Sequence, residues 1–299
     1  MANTHFGNIG DVWKHLALAE VVATERPQHF WESHAGSALY PLSHSTERDF
    51  GVYYFREHAS TSAILRESSY ARILRELETG GGLHVYPGSP FLAMHLLKRG
   101  PADFVFCDRD EASLAVIKDA ASLLAIDDAR LRLIHGDGLS TLAQLGAGLP
   151  PVEAESTFVH IDPYEPLQEP LPGLNAFDLL CQLADRGITC MLWAGYHTVT
   201  QRDELLQALQ RSMITGGASG NRLALWCGDI RLAGTMGARH PANPGIISSL
   251  VIGSHLSERS RAACDELGQA LARIYGSARL TDGRDGTMGY TSFLVPDDA

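Results

Sequence analysis

Short runs of apolar residues alternate along the chain with longer segments in which apolar positions recur every three or four residues. Such runs are typical of buried strands, and the longer segments have the period of helices. Strands are predicted at 29–32, 103–107, 131–135, 157–161, 189–193, 222–227, 246–252 and 291–295. Helices are predicted at 12–25, 91–98, 111–124, 176–185, 202–212 and 257–275. The alternation predicts an α/β fold with a doubly wound, Rossmann-like sheet of buried parallel strands.

One segment interrupts this alternation. Residues 44–82 are rich in Arg, Glu and Ser and show helical periodicity across 60–78. We interpret the segment as a small helical insertion subdomain. Residues 1–43 would then form an N-terminal segment and the first part of the core, and residues 83–299 the remainder. The Gly80-Gly81-Gly82 run marks the return to the core.

Composition narrows the class of protein. The 299 residues are 45% hydrophobic, enough for one large core. The net charge of −11 counts against a large nucleic-acid ligand, because binding such a ligand needs a basic patch. The arginines between Arg48 and Arg75 could supply that patch. With no apolar leader or membrane-length apolar run, a cytoplasmic protein without a membrane segment is expected. Five scattered cysteines without CxxC spacing predict small buried side chains and no metal site.

Three predicted strands end at residues suited to a nucleoside ligand. Ligands of an open α/β sheet bind at the carboxyl ends of its strands. The first strand runs into Ser33-His34-Ala35-Gly36, whose small residues let a ligand approach the backbone, although an ordinary turn has the same composition. The next ends at Asp108, which could accept hydrogen bonds from ribose hydroxyls or cap the following helix. The third strand leads to Asp137 and Gly138. We interpret Asp137 as an acceptor for an adenine amine and Gly138 as a position where the base can approach, with a turn as the alternative.

The fourth strand leads to Asp162-Pro163-Tyr164. A carboxylate after a buried strand, followed by Pro and an aromatic residue, resembles the Asp-Pro-Pro-Tyr signature of amino-directed methyltransferases. The resemblance implies that Asp162 accepts a hydrogen bond from the target amine and that Tyr164 stacks on a base. A strand-terminating turn is the alternative.

Further motifs, in order along most of the chain, resemble one family, the bacterial large-subunit ribosomal RNA adenine methyltransferases of the J type. The matching segments are His5-Phe6-Gly7-Asn8, Asp11-Val12-Trp13-Lys14-His15, Ser33-His34-Ala35-Gly36, Tyr86-Pro87-Gly88-Ser89-Pro90, Asp137-Gly138, Ile161-Asp162-Pro163, Leu192-Trp193 and Phe293-Leu294-Val295-Pro296.

The resemblance implies a class I methyltransferase fold that binds S-adenosylmethionine (SAM), as methyl donor or as substrate, with the insertion as the family's helical subdomain. Residues implied to contact SAM are His15, His34, Gly36, Ser89, Asp108, Asp137 and Gly138. Lys14 is expected to pair with the methionine carboxylate, with a solvated helix position as its alternative.

Three departures from the family concern the acceptor side. One proline is absent between Asp162 and Tyr164, which shifts the aromatic ring by one position. The family has additional residues, a Tyr among them, before the segment that begins here at His5. The acidic net charge is the third departure. The pattern suggests a retained SAM pocket and a changed acceptor.

Four hypotheses follow, and the sequence leaves the acceptor and the oligomeric state open. The first is methyl transfer to an adenine amine of ribosomal RNA, and the second is methyl transfer to a small metabolite. The third is cyclisation of SAM itself with release of methylthioadenosine. Attack by its α-carbon would give an aminocyclopropane-carboxylate and needs a base, whereas attack by its amine would give an azetidine-carboxylate. The candidate bases are Tyr164, Tyr196, His5 and His15. The fourth is a non-catalytic SAM-binding or RNA-binding scaffold.

Overall fold

Eight strands form one central sheet in the computed structural model, which describes residues 5–216, 224–231, 248–276 and 288–295. The helices are α1 (Ile9–Glu25), α2 (Thr46–Arg48), α3 (Tyr54–His58), α4 (Ala63–Glu67), α5 (Ser69–Glu76), α6 (Ser89–Leu97), α7 (Glu111–Leu123), α8 (Gly138–Gly148), α9 (Pro151–Ala154), α10 (Ala176–Ala184), α11 (Val199–Gly216) and α12 (Glu258–Gly276). The strands are β1 (His29–Glu32), β2 (Leu39–Pro41), β3 (Glu78–Thr79), β4 (Gly82–Leu83), β5 (Val85–Pro87), β6 (Asp103–Asp108), β7 (Leu131–His135), β8 (Thr157–Ile161), β9 (Thr189–Tyr196), β10 (Leu225–Arg231), β11 (Ser248–Ser254) and β12 (Gly289–Val295).

The strand order across the central sheet is β12-β10-β11-β9-β8-β1-β6-β7. From β1 the chain proceeds outward through β6 and β7, and then returns to build β8 and β9 on the opposite side, with these five strands parallel. The direction of winding therefore changes between β1 and β8, which is where such folds bind ligands. The prediction of a doubly wound α/β fold is confirmed.

The last three strands run antiparallel: β11 pairs with β9 and β10, and β10 pairs with β12. The prediction of parallel strands is wrong for this part of the sheet. A strand covered on both faces is apolar throughout whichever direction its neighbours take, so the pattern cannot distinguish the two arrangements. The first residues of the strands predicted at 222–227 and 246–252 lie outside the described residues.

Each face of the sheet carries its own hydrophobic layer. Successive strand side chains point to opposite faces, so Phe30 joins one cluster and Trp31 the other. Helix α1 crosses the first face and is buried along most of its length, because α5, α6 and α12 pack around it. Its first turn is capped by Asn8, whose side-chain oxygen accepts from the Asp11 N–H at 3.0 Å. This cap fixes the start of the helix that carries Lys14 and His15.

Residues 44–82 contain α2 to α5 and share the hydrophobic cluster of α1 through Phe55, Leu65 and Tyr70. The single helical period predicted across 60–78 is broken at Ser68, whose hydroxyl caps α5 by accepting from the Ala71 N–H at 3.2 Å. The interpretation of this segment as a separate subdomain stays a prediction.

The cysteines and the helices bear on two expectations drawn from composition. All five cysteines are buried and free, as predicted. Among the described helices, none combines the length and apolar character that a membrane crossing requires.

Candidate active site

The carboxyl ends of β1, β6 and β8 surround a cavity of about 190 Å³ beside the point where the sheet reverses its winding. Eight of the predicted site residues line it: Lys14, His15, His34, Gly36, Ser89, Asp108, Asp162 and Tyr164. They come from α1, the β1–β2 connection, α6, β6 and the segment after β8. The tertiary structure thus brings together residues that the sequence spreads over 150 positions.

A second cavity of about 130 Å³ shares His34 and Tyr164 with the first and is also lined by Asp137. Together the two reach the lower end of the size range of small-molecule sites, about 300–1,000 Å³. Gly138 is the one predicted site residue that lines neither cavity.

Lys14 is buried and paired with two carboxylates. Its Nζ lies 2.7 Å from Asp162 Oδ2 and 2.9 Å from Asp11 Oδ1, and 5.2 Å from the centre of the Trp193 ring. Burial acts to lower the pKa of Lys14, but the two carboxylates raise it overall, so the ammonium stays charged. The solvated helix position is therefore wrong. The predicted contact of Lys14 with a methionine carboxylate stays a prediction, since the ammonium here has partners within the protein.

Asp162 forms the floor of the cavity directly after β8. Burial raises the pKa of this carboxyl group, while Lys14 and His160 oppose that rise. Its Oδ2 accepts from Lys14, and its Oδ1 takes no hydrogen bond from any described residue. One carboxylate oxygen is therefore available to a ligand.

The two histidines of the cavity are held neutral by burial. His15 is buried, and burial followed by the nearby charge of Lys14 keeps its pKa well below the ordinary value. Its Nδ1 lies 2.7 Å from the hydroxyl of Tyr86. Burial lowers the pKa of His34 to about 4, and its Nδ1 lies 2.8 Å from Ser33 Oγ.

Asp108 orders the loop after β1. Its two oxygens accept from the N–H groups of Gly36 at 2.7 Å and Asp110 at 2.8 Å. Gly36 has a φ of +57°, a conformation that favours glycine, and this aims its N–H at the carboxylate. The helix cap proposed for Asp108 is wrong, because Asp110 caps α7 by accepting from Ser113 N–H.

Asp137 and Gly138 form the start of α8, a helix that the sequence did not predict. Asp137 is its cap, accepting from Ser140 N–H at 2.8 Å and from Arg109 at 2.5 Å. Burial acts to raise the pKa of Asp137, but these donors outweigh it and lower the pKa. A Cβ at Gly138 would overlap the backbone carbonyl of Ser33, so its small size serves packing between α8 and the β1–β2 connection. The approach of a base at Gly138 stays a prediction.

The candidate bases for cyclisation differ in their surroundings. Tyr164 is 80% exposed at the mouth of the cavity. The hydroxyl of Tyr196 lies 2.5 Å from the buried Asp229 carboxylate, which together with burial raises its pKa. His5 lies 2.9 Å from Glu47 on the surface, and His15 bonds to Tyr86. Of the four, Tyr164 and His15 line the cavity.

Several residues of the site were missed by sequence reasoning. Glu32 and His160 are fully buried neighbours on β1 and β8, with Glu32 Oε1 2.6 Å from His160 Nδ1. Glu32 ends the first predicted strand, a position where an acidic residue could have been noticed. Tyr86 and Asp11 lay inside quoted motifs without an assigned role, whereas Tyr40 lines the cavity with no sequence signal that could have singled it out.

The arginines of the insertion, the possible source of a basic patch, are interleaved with carboxylates. Residues 44–82 hold five arginines against six carboxylates. Arg56 pairs with Glu78 at 2.5 Å, and Arg66 with Glu67 at 3.1 Å. These two arginines are paired within the protein, and the insertion as a whole holds more carboxylates than arginines.

The donors and acceptors of the two cavities fit SAM. Imidazole nitrogens from His15 and His34 and the hydroxyl of Ser89 can bond its carboxylate and ribose oxygens, and the carboxylates of Asp108 and Asp137 can accept from its hydroxyls and amines. Within the described residues, no group of three or more His, Cys, Asp or Glu side chains is arranged to hold a metal ion.

The comparison that decides the family covers most of this site. A family model described as ribosomal RNA large subunit methyltransferase D, RlmJ, matches residues 25–216. The chain belongs to this family. The matched region includes β1, β6, β7 and β8 with their site residues, and it confirms the family resemblance seen in the sequence motifs.

One curated relative and one solved structure show how far the likeness extends. Ribosomal RNA large subunit methyltransferase J of Escherichia coli (strain K12) is 27% identical over 172 residues, 54% of this chain and 57% of that protein. The match thus covers little more than half of either chain. The crystal structure of protein LPL1258 from Legionella pneumophila superposes with a TM-score of 0.70 at 18% identity, over 97% of this chain and 98% of that one. That structure shares the fold.

Proposed function

We propose that the protein transfers a methyl group from SAM to the exocyclic amine of an adenine in large-subunit ribosomal RNA. The observation that carries the proposal is Asp162, a half-buried carboxylate with one oxygen that accepts no hydrogen bond from any described residue, on the floor of the cavity that holds the SAM-type residues. Membership of the family supports the acceptor, since the family model and the Escherichia coli relative both bear the name of a ribosomal RNA large-subunit methyltransferase.

The sulfonium of bound SAM supplies an electrophilic methyl group, and the contribution of the protein is positioning. Asp162 Oδ1 accepts a hydrogen bond from the amine and so fixes the direction of its lone pair. Lys14, bonded to the other oxygen, favours the ionised form of Asp162 against the effect of burial. Tyr164, exposed at the mouth, offers a ring face on which the adenine can stack.

Methyl transfer to an acceptor amine has more support than cyclisation of SAM or a non-catalytic scaffold. Cyclisation of SAM by attack of its α-carbon needs a base at that carbon. The hydroxyl of Tyr196 and the Nδ1 of His15 are engaged by Asp229 and Tyr86, and His5 pairs with Glu47, which leaves Tyr164 at the mouth of the cavity as the candidate. A non-catalytic scaffold would not require an accessible carboxylate beside the cavity.

The test is methylation of an in vitro transcript of large-subunit ribosomal RNA, with isotopically labelled SAM and mass spectrometry of the nucleosides after digestion. The wild-type protein should yield methylated adenosine. Asp162→Asn should reduce the rate at least a hundredfold while SAM binding persists, because the amide cannot replace the carboxylate as a charged acceptor. Asp119→Asn, an exposed carboxylate on α7, is the matched control and should react like the wild type. A transcript left unmodified by protein that binds SAM would rule out ribosomal RNA as the acceptor.

A further inference from the structure

A chain of buried hydroxyl groups leads from the helical insertion to the cavity. Tyr70 on α5 and Tyr86 on β5 are both fully buried, and their hydroxyl oxygens lie 3.4 Å apart. The hydroxyl of Tyr86 lies 2.7 Å from Nδ1 of His15, whose ring lines the cavity. The His15 ring also contacts both tyrosine rings, with its centroid 5.6 Å from that of Tyr86 and 6.2 Å from that of Tyr70.

The direction of these hydrogen bonds follows from counting donors and acceptors. If Tyr86 donates to His15 Nδ1, its oxygen can accept from Tyr70, and both hydroxyl hydrogens are bonded. If instead Nδ1 carried the proton, Tyr86 would donate to Tyr70, and the Tyr70 hydrogen would have no acceptor among the described residues. An unpaired buried donor is unfavourable, so the first direction is preferred.

A neutral imidazole carries one proton, which must then lie on Nε2. That nitrogen is bonded to no described residue. We propose that Tyr86, held by Tyr70, is a positioning residue that fixes His15 as the Nε2–H tautomer, so that this N–H donates to an oxygen acceptor of SAM. The identity of the acceptor rests on the proposed function, whereas the tautomer is a property of the free protein.

The insertion thereby has a role at the cavity that does not depend on a basic surface. Tyr70 reaches the site from α5, and Phe55 of α3 packs against Tyr70 at a ring-centroid distance of 5.4 Å. The insertion therefore sets the orientation of a donor in the cavity through the hydroxyl groups of two tyrosines. It also accounts for Tyr86 in the Tyr86-Pro87-Gly88-Ser89-Pro90 motif, where Phe would pack equally well but would lack the hydroxyl group.

The experiment combines histidine-ring ¹⁵N NMR with calorimetric measurement of SAM binding. The His15 signals are assigned by their loss in His15→Asn. In the wild type, Nδ1 should have the shift of an unprotonated nitrogen and Nε2 that of an N–H. In Tyr86→Phe both signals should move toward the average of the two tautomers, and the Kd for SAM should rise about three- to tenfold, as for one lost neutral hydrogen bond. Tyr70→Phe should shift the signals in the same direction by a smaller amount.

Tyr290→Phe is the matched control, since it also removes a tyrosine hydroxyl, one that bonds to Asp265 at 2.8 Å on α12. It should change neither the ring signals nor the Kd. A protonated Nδ1 in the wild type would overturn the proposal. So would a weaker SAM affinity in Tyr86→Phe with unchanged His15 signals, because that would be a packing effect only. The expected tautomer in a protein that does not bind SAM would support the hydroxyl chain and count against the proposed function.

Discussion

Replacement of Lys14 by Met should test whether the buried ion pairs at the candidate active site are structurally required. Lys14 has a side-chain exposure of 7%, and its two carboxylate partners, Asp11 and Asp162, have 12% and 14%. Removing the ammonium leaves these carboxylates buried without their cation. Breaking a buried pair in this way costs about 3–5 kcal/mol, a large part of the about 5–15 kcal/mol that stabilises a typical native protein.

Urea unfolding at pH 7, followed by circular dichroism, measures this loss as a change in the unfolding free energy. At about 2 °C per kcal/mol for a chain of this size, Lys14→Met should also lower the Tm by about 6–10 °C. Arg109→Met is the matched control, because it removes a cation from Asp137 in a pair whose arginine is 64% exposed. Such an exposed pair contributes about 0–1 kcal/mol, so this variant should remain close to the wild type.

The same substitution should change the pH dependence of methyl transfer. Lys14 is the main charge that opposes the raised pKa of Asp162, so its removal should raise that pKa further. The acidic limb of the kcat/KM profile should therefore move to higher pH. The double variant Lys14→Met, Asp162→Asn should be more stable than Lys14→Met, since it removes one of the unpaired charges. A loss below about 1 kcal/mol in Lys14→Met, equal to that of Arg109→Met, would refute the assignment of a buried pair.

Three further predictions concern other residues of the site. Burial lowers the pKa of the His34 imidazole from 6.5 to about 4 in the folded protein. The contribution of the neutral ring to the unfolding free energy is therefore complete above pH 6.5 and is lost as the pH falls toward 4. Urea unfolding at pH 7 and at pH 4.5 should show that His34→Gln loses about 2 kcal/mol less unfolding free energy than the wild type over this interval. Gly138→Ala should lower the unfolding free energy by about 2 kcal/mol or more, because its Cβ would overlap Ser33. Gly148→Ala on the same helix meets no atom within 4 Å and should be neutral or stabilising. Equal effects of the two substitutions would refute the packing argument. Tyr164→Ala should leave the Tm within about 1 °C because the ring is 80% exposed, and should reduce kcat/KM at least tenfold on RNA; unchanged kinetics would remove Tyr164 from the acceptor site.

Much of the site could be predicted because the fold places its ligand at strand ends. Asp108, Asp137 and Asp162 each follow an apolar run, and parallel strands bring such positions to one edge of the sheet. Eight of the ten predicted residues line one cavity for this reason, and Asp137 lines its neighbour. The role of each residue was harder to predict. Asp110 rather than Asp108 caps α7, and the small size of Gly138 serves packing, because both depend on where a neighbouring loop lies.

The sequence by itself determined the alternation of strands and helices, the strand ends that carry chemistry and the family motifs. These depend on local periodicity and on residue order, which are properties of the chain before it folds. Only the tertiary structure decided the antiparallel β10 to β12, the Lys14–Asp162 pair and the path from Tyr70 through Tyr86 to His15. The paired residues Lys14 and Asp162 are 148 positions apart, and their contact is set by how α1 crosses the sheet beside the end of β8. No local pattern encodes such a contact, because it depends on the packing of distant elements around a shared core.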